Sequence, residues 1–190
     1  MEQTLVVLKP DAVKRGLIGE IIKRFENVGL TVVAVKLSLA QRDLVEKHYP
    51  ADREELWIGI GNKTLENYKD LDMDPKKSLG TDDPKEIGKM VRVWLMDYIM
   101  EGPVLALVLE GPHAVELVRK ITGHTLPLVS APGTIRGDFS YDSSYLANSA
   151  KRPIKNLIHA SGNREEAKYE IPLWFSKEEI QSYKRSSDVI

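Results

Sequence analysis

Two runs of this chain, Thr4-Leu5-Val6-Val7-Leu8 and Val104-Leu105-Ala106-Leu107-Val108-Leu109, are almost entirely apolar from end to end. A strand turns successive side chains to opposite faces, so such runs are stable only where both faces are covered. Both read as central strands of a sheet, and the rest of the chain has to supply the cover. The first run stops at Lys9-Pro10-Asp11, because proline has no N–H for a ladder and restricts the residue before it. Thr31–Leu39 reads as another strand, with Val33, Val35 and Leu37 on one face. Near the C-terminus, Asn156-Leu157-Ile158-His159 places an imidazole at the end of a short buried strand, and Ala160-Ser161-Gly162 leaves room in front of it.

Amphipathic helices fall between these strands. Ile18, Ile21, Ile22 and Phe25 recur at helical spacing up to Asn27 and Gly29. Gln41 to His48 is a short helix closing at Tyr49-Pro50. Asp83-Pro84-Lys85-Glu86 is a strong helix start, and Ile87, Met90, Val91, Trp94 and Tyr98 form the stripe that follows. Ala114, Leu117, Val118 and Ile121 mark another helix, stopped by Gly123. Leu126 to Tyr145 reads as a long loop, rich in Pro, Gly and Ser. Arg164 to Glu170 is a short helical turn. A last helix begins at Ser176, with Glu179 completing its capping box and Phe175 and Ile180 as its hydrophobic staple.

Residues Ala51 to Asp83 are irregular and charged, and read as a helical insertion on the surface. Three look-alike motifs there lack their defining residues. Gly59-Ile60-Gly61-Asn62-Lys63-Thr64 has no Gly directly before the Lys of a phosphate loop. Pro75 stands where an EF-hand beginning at Asp70 requires Gly. Asn62-Lys63-Thr64 is a glycosylation sequon without secretory context. The element order, with its helices expected on one face, predicts an α+β fold. A ferredoxin-like βαββαβ core with an antiparallel sheet and an added helical insertion fits it best.

Length and composition set the outer bounds. A chain of 190 residues reads as a single domain, 1–190. A formal net charge of -1 gives no broad basic field, so nucleic acid is not expected as a partner. The absence of cysteine excludes disulfides, thiol catalysis and thiolate-bound metals. There is no apolar run of membrane-spanning length and no signal-peptide layout, so a cytoplasmic protein without a membrane partner is expected.

The polar residues at strand ends and in the glycine-rich loop are Lys9, Arg119, Thr125, Arg136, Asn156 and His159. Arginine forks and lysine suit phosphate oxygens, and the backbone near Gly133 and Gly137 allows close approach of a ligand. Phosphoryl transfer is mainly a matter of positioning and charge stabilisation. An imidazole, with a reference pKa of about 6.5, can itself attack phosphorus near neutral pH. His48, His113 and His124 lie at helix ends or beyond a helix-stopping glycine and read as structural.

The chain resembles nucleoside diphosphate kinases along most of its length. The resemblance rests on Thr4 to Asp11, Arg15-Gly16-Leu17-Ile18-Gly19-Glu20-Ile21-Ile22, His48-Tyr49, Gly102-Pro103-Val104, Pro132-Gly133-Thr134-Ile135-Arg136-Gly137-Asp138-Phe139, Asn156 through His159 with Ser161, and Glu170-Ile171 with Leu173-Trp174-Phe175. It implies a two-step reaction in which His159 takes the γ-phosphate of a nucleoside triphosphate such as ATP or GTP, and a nucleoside diphosphate collects it. It further implies that Lys9 and Asn156 meet phosphate and sugar, that Arg119, Thr125 and Arg136 hold the phosphates, and that Tyr49 lines the site. Glu170 would orient the histidine with Ser161 beside it, and a homo-oligomer is implied. A nucleotide-binding regulatory relative with weak or no turnover is the second reading.

Departures from the family pattern are local. Gly162 stands in the place of an aspartate that helps hold the water shell of Mg²⁺. The resemblance therefore implies Mg²⁺ held mainly by nucleotide phosphates and water, with no protein ligand assigned. His124 and Leu126 flank the retained Thr125 in place of Glu and Asn. The family's base-stacking aromatic falls at Val91, with Trp94 nearby. Insertions relative to the family are placed at about 52–89 and 140–152.

Overall fold

A computed structural model of the chain describes residues 1–185. β1 (Glu2–Leu8) is followed by α1 (Pro10–Lys14), α2 (Ile18–Glu26) and β2 (Thr31–Leu39). Four helices, α3 (Arg42–His48), α4 (Glu54–Asp70), α5 (Pro75–Leu79) and α6 (Pro84–Met100), separate β2 from β3 (Pro103–Gly111). Then come α7 (Ala114–Thr122), a 3₁₀ turn at Pro127–Val129, α8 (Ile135–Phe139), α9 (Ser144–Ser149), β4 (Ile158–Ala160), α10 (Arg164–Trp174) and a 3₁₀ turn at Lys177–Glu179. The strands make one antiparallel sheet in the order β2-β3-β1-β4, the ferredoxin-like arrangement expected from the element order.

The two apolar runs are the central strands, and their alternation divides the core in two. Leu5, Val7, Val104, Ala106 and Val108 face a cluster closed by Val45 of α3, Met96 and Ile99 of α6, and Ile171 and Trp174 of α10. Val6, Leu8, Leu105, Leu107 and Leu109 face a second cluster with Ile21 and Phe25 of α2, Val118 of α7 and Ile135 of α8. Helices therefore cover both faces of the sheet and not one. An unbroken apolar strand leaves no other solution, since a bare face would expose half of its side chains.

The expected strand Thr31–Leu39 forms, but Val33, Val35 and Leu37 do not share a face. The pairing slips by one residue between Val32 and Ala34, a β-bulge that reverses the phase of everything after it. Val33 is buried at 2% exposure, whereas Val35 and Leu37 are 53% and 59% exposed. The loop Leu126–Tyr145 holds a 3₁₀ turn, all of α8 and the start of α9. Thr134 opens α8 by accepting a hydrogen bond from the Gly137 N–H. The expected turn at Arg164 runs on to Trp174, capped by Asn163 and carrying Pro172 near its end. The capping box of Ser176 and Glu179 is present, yet it closes only a 3₁₀ turn and no helix follows among the described residues.

The look-alike motifs of the charged segment have structural roles. Asp74 caps α5 by accepting from the Lys76 and Lys77 N–H groups. Gly61 lies mid-helix in α4, where a Cβ would sit 1.9 Å from the Pro84 carbonyl oxygen, and a Cβ at Gly88 would sit 2.1 Å from that of Trp57. α4 and α6 thus cross with their backbones in contact, which only glycine allows. Gly61→Ala and Gly88→Ala are each expected to cost about 2 kcal/mol, or roughly 4–8 °C in Tm for a chain of this length. Gly59→Ala in the same helix meets open space and should hold or raise stability. Thermal unfolding followed by circular dichroism reads all three; equal melting of the Gly61 and Gly59 variants would show that the close crossing does not fix this hairpin.

Candidate active site

β4 pairs with the C-terminal half of β1, Val6 to Leu8, and sets His159 opposite Val7. From there the imidazole Nε2 reaches the Glu170 Oε1 of α10 at 2.9 Å. The other carboxylate oxygen, Oε2, accepts from the Ser161 hydroxyl at 2.7 Å, and that hydroxyl in turn accepts from the Leu5 N–H. Burial alone would raise the Glu170 pKa. The charge and hydrogen bond of His159, with help from His48 and Ser161, outweigh it and hold the group at about 2. An ionised carboxylate only accepts hydrogen bonds, so Nε2 of His159 carries the proton and Nδ1 keeps the lone pair.

On the other side, Lys9 ends β1 with its head buried, and Nζ donates to Asn156 Oδ1 at 2.7 Å. Asn156 Nδ2 donates to the Thr125 carbonyl at 3.0 Å. Lys9 also lies over the Tyr98 ring, 4.9 Å from its centroid. Burial first, and the positive charge of Arg136 second, lower the lysine pKa to about 7. Near neutral pH Lys9 is therefore only partly charged.

Arg136 also differs from expectation. Nε, Nη1 and Nη2 donate to the carbonyls of Asn156, Gly123 and Ile158 at 3.1, 3.1 and 2.7 Å. A guanidinium has five N–H donors, so two remain for a ligand, and the side chain fastens the Asn156–Ile158 segment as well as offering charge. Burial and the nearby Arg119 lower its pKa to about 10. Arg119 on α7 is exposed and shares an open recess with Gly162, Glu116 and Glu165. Thr125 is exposed above Asn156.

Between Asn156 and His159 the backbone is strained. Leu157 has φ of 67°, and the Ile158 N–H donates to the Asn156 carbonyl at 2.7 Å. This is a three-residue γ-turn of the rare positive-φ kind, costing on the order of 1–3 kcal/mol for a residue with a side chain.

His48, read as structural from sequence, belongs to this site. Its ring centroid lies 4.5 Å from that of His159, edge to face, and 4.7 Å from that of Tyr49. Its Nδ1 accepts from Trp174 Nε1 at 3.3 Å, and burial lowers its pKa to about 3, so it is neutral. The signal was its position directly before Tyr49. Tyr49 packs behind His48 and not against His159, and burial raises its pKa. Val91 and Trp94 are half-buried along α6.

His48, His159 and Glu170 could in principle gather a metal ion. However, the His48 Nδ1 lone pair is taken by Trp174 and His159 Nε2 by Glu170, so both atoms are already engaged within the protein. At the recess, Gly162 has no side chain, and Glu166 Oε2 accepts the Gly162 N–H at 2.8 Å as part of the α10 cap.

The chain is similar throughout to enzymes of one kind. The sequence model of the family described as nucleoside diphosphate kinase matches residues 2–58 and 85–180. The nucleoside diphosphate kinase of Pyrobaculum aerophilum is 48% identical over 181 residues, 95% of this chain and 98% of its own. The crystal structure of an NDP kinase from that organism superposes with a TM-score of 0.93 at 46% identity, covering 95% of this chain and 99% of its own. The enzyme of Borrelia burgdorferi, a transition state mimic with bound vanadate and ADP, superposes at 0.77 with 38% identity, covering 98% and 94%. That of Halobacterium salinarum, in complex with CDP, superposes at 0.67 with 31% identity, covering 98% and 95%. With these matches spanning nearly its whole length, the chain belongs to the nucleoside diphosphate kinase family.

Proposed function

We propose that the chain performs its family's reaction, transfer of a terminal phosphate from a nucleoside triphosphate to a nucleoside diphosphate, by a ping-pong route through phosphohistidine at His159. The observation that carries this is the buried His159–Glu170–Ser161 network, which leaves Nδ1 as the free nucleophile. Nδ1 attacks the γ-phosphorus, the P–O bond to the diphosphate breaks, and the diphosphate leaves. A second diphosphate then attacks the phosphohistidine with its terminal oxygen and frees Nδ1. Glu170 stabilises the positive charge that the ring acquires when phosphorylated. Lys9 and Asn156 meet phosphate and sugar, Arg119, Thr125 and Arg136 the remaining phosphate oxygens, and His48 links Tyr49 to the nucleophile. The Pyrobaculum, Borrelia and Halobacterium relatives support a nucleotide substrate.

Mg²⁺ is the proposed metal. The donor set around Gly162 suits an ion that rides on phosphates and water, since Gly162 itself offers no ligand atom from a side chain and Glu166 is already engaged. When bound, it neutralises phosphate charge. A chain free of cysteine suits the cytoplasm, the proposed compartment. Residues 52–89 and 140–152 are proposed as insertions on the common core.

A homo-oligomer is proposed through β2, the edge of the sheet. Its second half, whose outer edge pairs with no strand among the described residues, presents Val35, Leu37 and Leu39, each more than half exposed, in one row on the same face. The other half is occupied, as Gln181 N–H donates to the Val33 carbonyl and the Tyr183 hydroxyl to that of Val32. An open apolar edge is a template for antiparallel pairing with a second copy.

Three outcomes are expected. Incubation with γ-labelled ATP should give an acid-labile label that His159→Ala abolishes and Glu170→Gln slows by about 100-fold; nucleotide binding without label or exchange would favour the regulatory reading. Nucleotide binding at pH 8 should take up protons, because phosphate charge raises a Lys9 pKa that begins at about 7. The uptake should vanish at pH 5.5, where Lys9 is already charged, and in Lys9→Met. Calorimetry in buffers of different ionisation enthalpy measures it, and a pH-independent heat in the wild type would contradict the assignment. Leu37→Lys should lower the solution mass by light scattering; an unchanged mass would rule out pairing through β2.

A further inference from the structure

We infer that Asp11 is a positioning residue: its carboxylate holds the Leu157 backbone in the positive-φ turn that aims Asn156 across the nucleotide site. The inference rests on the reading of that site given above. Asp11 lies 146 positions before Leu157, in the first turn of α1, and its Oδ2 accepts the Leu157 N–H at 3.1 Å. The turn is held at three other points: the Lys9 N–H donates to the Leu157 carbonyl at 2.8 Å, Ile158 N–H to that of Asn156 at 2.7 Å, and Arg136 Nε to the same Asn156 carbonyl at 3.1 Å. Asp11 supplies the charged acceptor for the Leu157 N–H, and the Tyr98 hydroxyl faces the same N–H.

A leucine leaves positive φ unless its surroundings hold it there. Leu157 is fully buried in the core beside Ile158, and without Asp11 its N–H would lose its charged acceptor and keep only the Tyr98 phenol nearby. Relaxing the turn moves what lies before it. Asn156, whose side chain bridges Lys9 and Thr125, swings with the backbone. His159 does not, because β4 keeps it paired with Val7 and the imidazole stays on Glu170. Asp11 therefore controls the nucleotide side of the site and leaves the nucleophile in place. Tyr98 closes the far side of the carboxylate; burial and then the Asp11 charge keep its phenol protonated. The plainer role for an acidic residue here is to favour the N-terminus of α1 through its charge, and the two roles respond differently to substitution.

The test compares two phosphoryl donors. Phosphoramidate transfers its phosphoryl group to histidine with loss of ammonia and offers no nucleoside to Asn156. In Asp11→Ala, single-turnover labelling of His159 by ATP should fall by about 100-fold, the scale of a misplaced reactant, while labelling by phosphoramidate stays at the wild-type rate. Asp11→Asn lacks the charge but keeps an acceptor oxygen, and should recover most of the ATP rate. If Asp11→Ala does not fold, Asp11→Leu, similar in shape and without an acceptor, takes its place. An undiminished ATP rate, an equal fall with both donors, or an Asn variant as slow as the Ala variant would each overturn the inference. Wild-type protein left unlabelled by ATP would refute the proposed function instead.

Discussion

β1 is hydrogen-bonded along both edges and buried on both faces, and the remaining structure follows from those two facts. Pairing with β3 on one side and β4 on the other carries the sheet through the middle of the chain. Double burial calls for helical cover on each face and divides the apolar side chains into two cores. The strand also ends at a defined point. Pro10 cannot continue the ladder, so Lys9 emerges at the sheet's edge beside β4 with its stem in the core and its amine against Asn156. The nucleophile and its principal cation sit together because they occupy the ends of two neighbouring strands.

That placement governs the electrostatics. Burial lowers the pKa of Lys9 and Arg136, whereas Glu170, equally enclosed, is kept ionised chiefly by His159 and by the Ser161 hydroxyl. The site thus holds less positive charge than a count of its residues suggests. Arg136 avoids the usual penalty of a buried cation by donating to three carbonyls. His48 contributes in the opposite way: fixed by Trp174 and far from titrating, it fills the space beside the nucleophile without adding a competing charge.

Much of this was readable from sequence, and the limits have physical causes. The central strands were legible because an apolar run buried on both faces has few alternatives, and the start of α6 because Asp-Pro fixes both the cap and the first helical φ. The fold class followed from element order. The face of Val35 and Leu37 was not legible, since one bulged residue reverses a period-two pattern and leaves no compositional trace. Nor was α8 inside its loop, five residues whose cap, Thr134, sits among glycines and prolines. The crossing at Gly61 and Gly88 was hidden for a different reason. A glycine that lets two backbones touch looks the same in sequence as one that relieves a turn.

The site separates along the same line. Which side chains meet was legible: Lys9 lies against Asn156, and His159 and Ser161 both lie on Glu170. What each side chain does with its donors was not, because that depends on backbone geometry. Arg136 reads as a phosphate fork until three carbonyls are found around it, and His48 as a core histidine until its ring is seen against His159. The Leu157 turn is the sharpest case. Leucine gives no hint of positive φ, and nothing near it in sequence stabilises that conformation. Its support comes from the first strand-to-helix junction, at the opposite end of the chain. Lys9-Pro10-Asp11 is therefore one device with two contacts on Leu157: the backbone of Lys9 holds its carbonyl and the side chain of Asp11 its N–H. The strain at Leu157 is sustained from the end of β1, whose run from Thr4 to Leu8 is wholly buried.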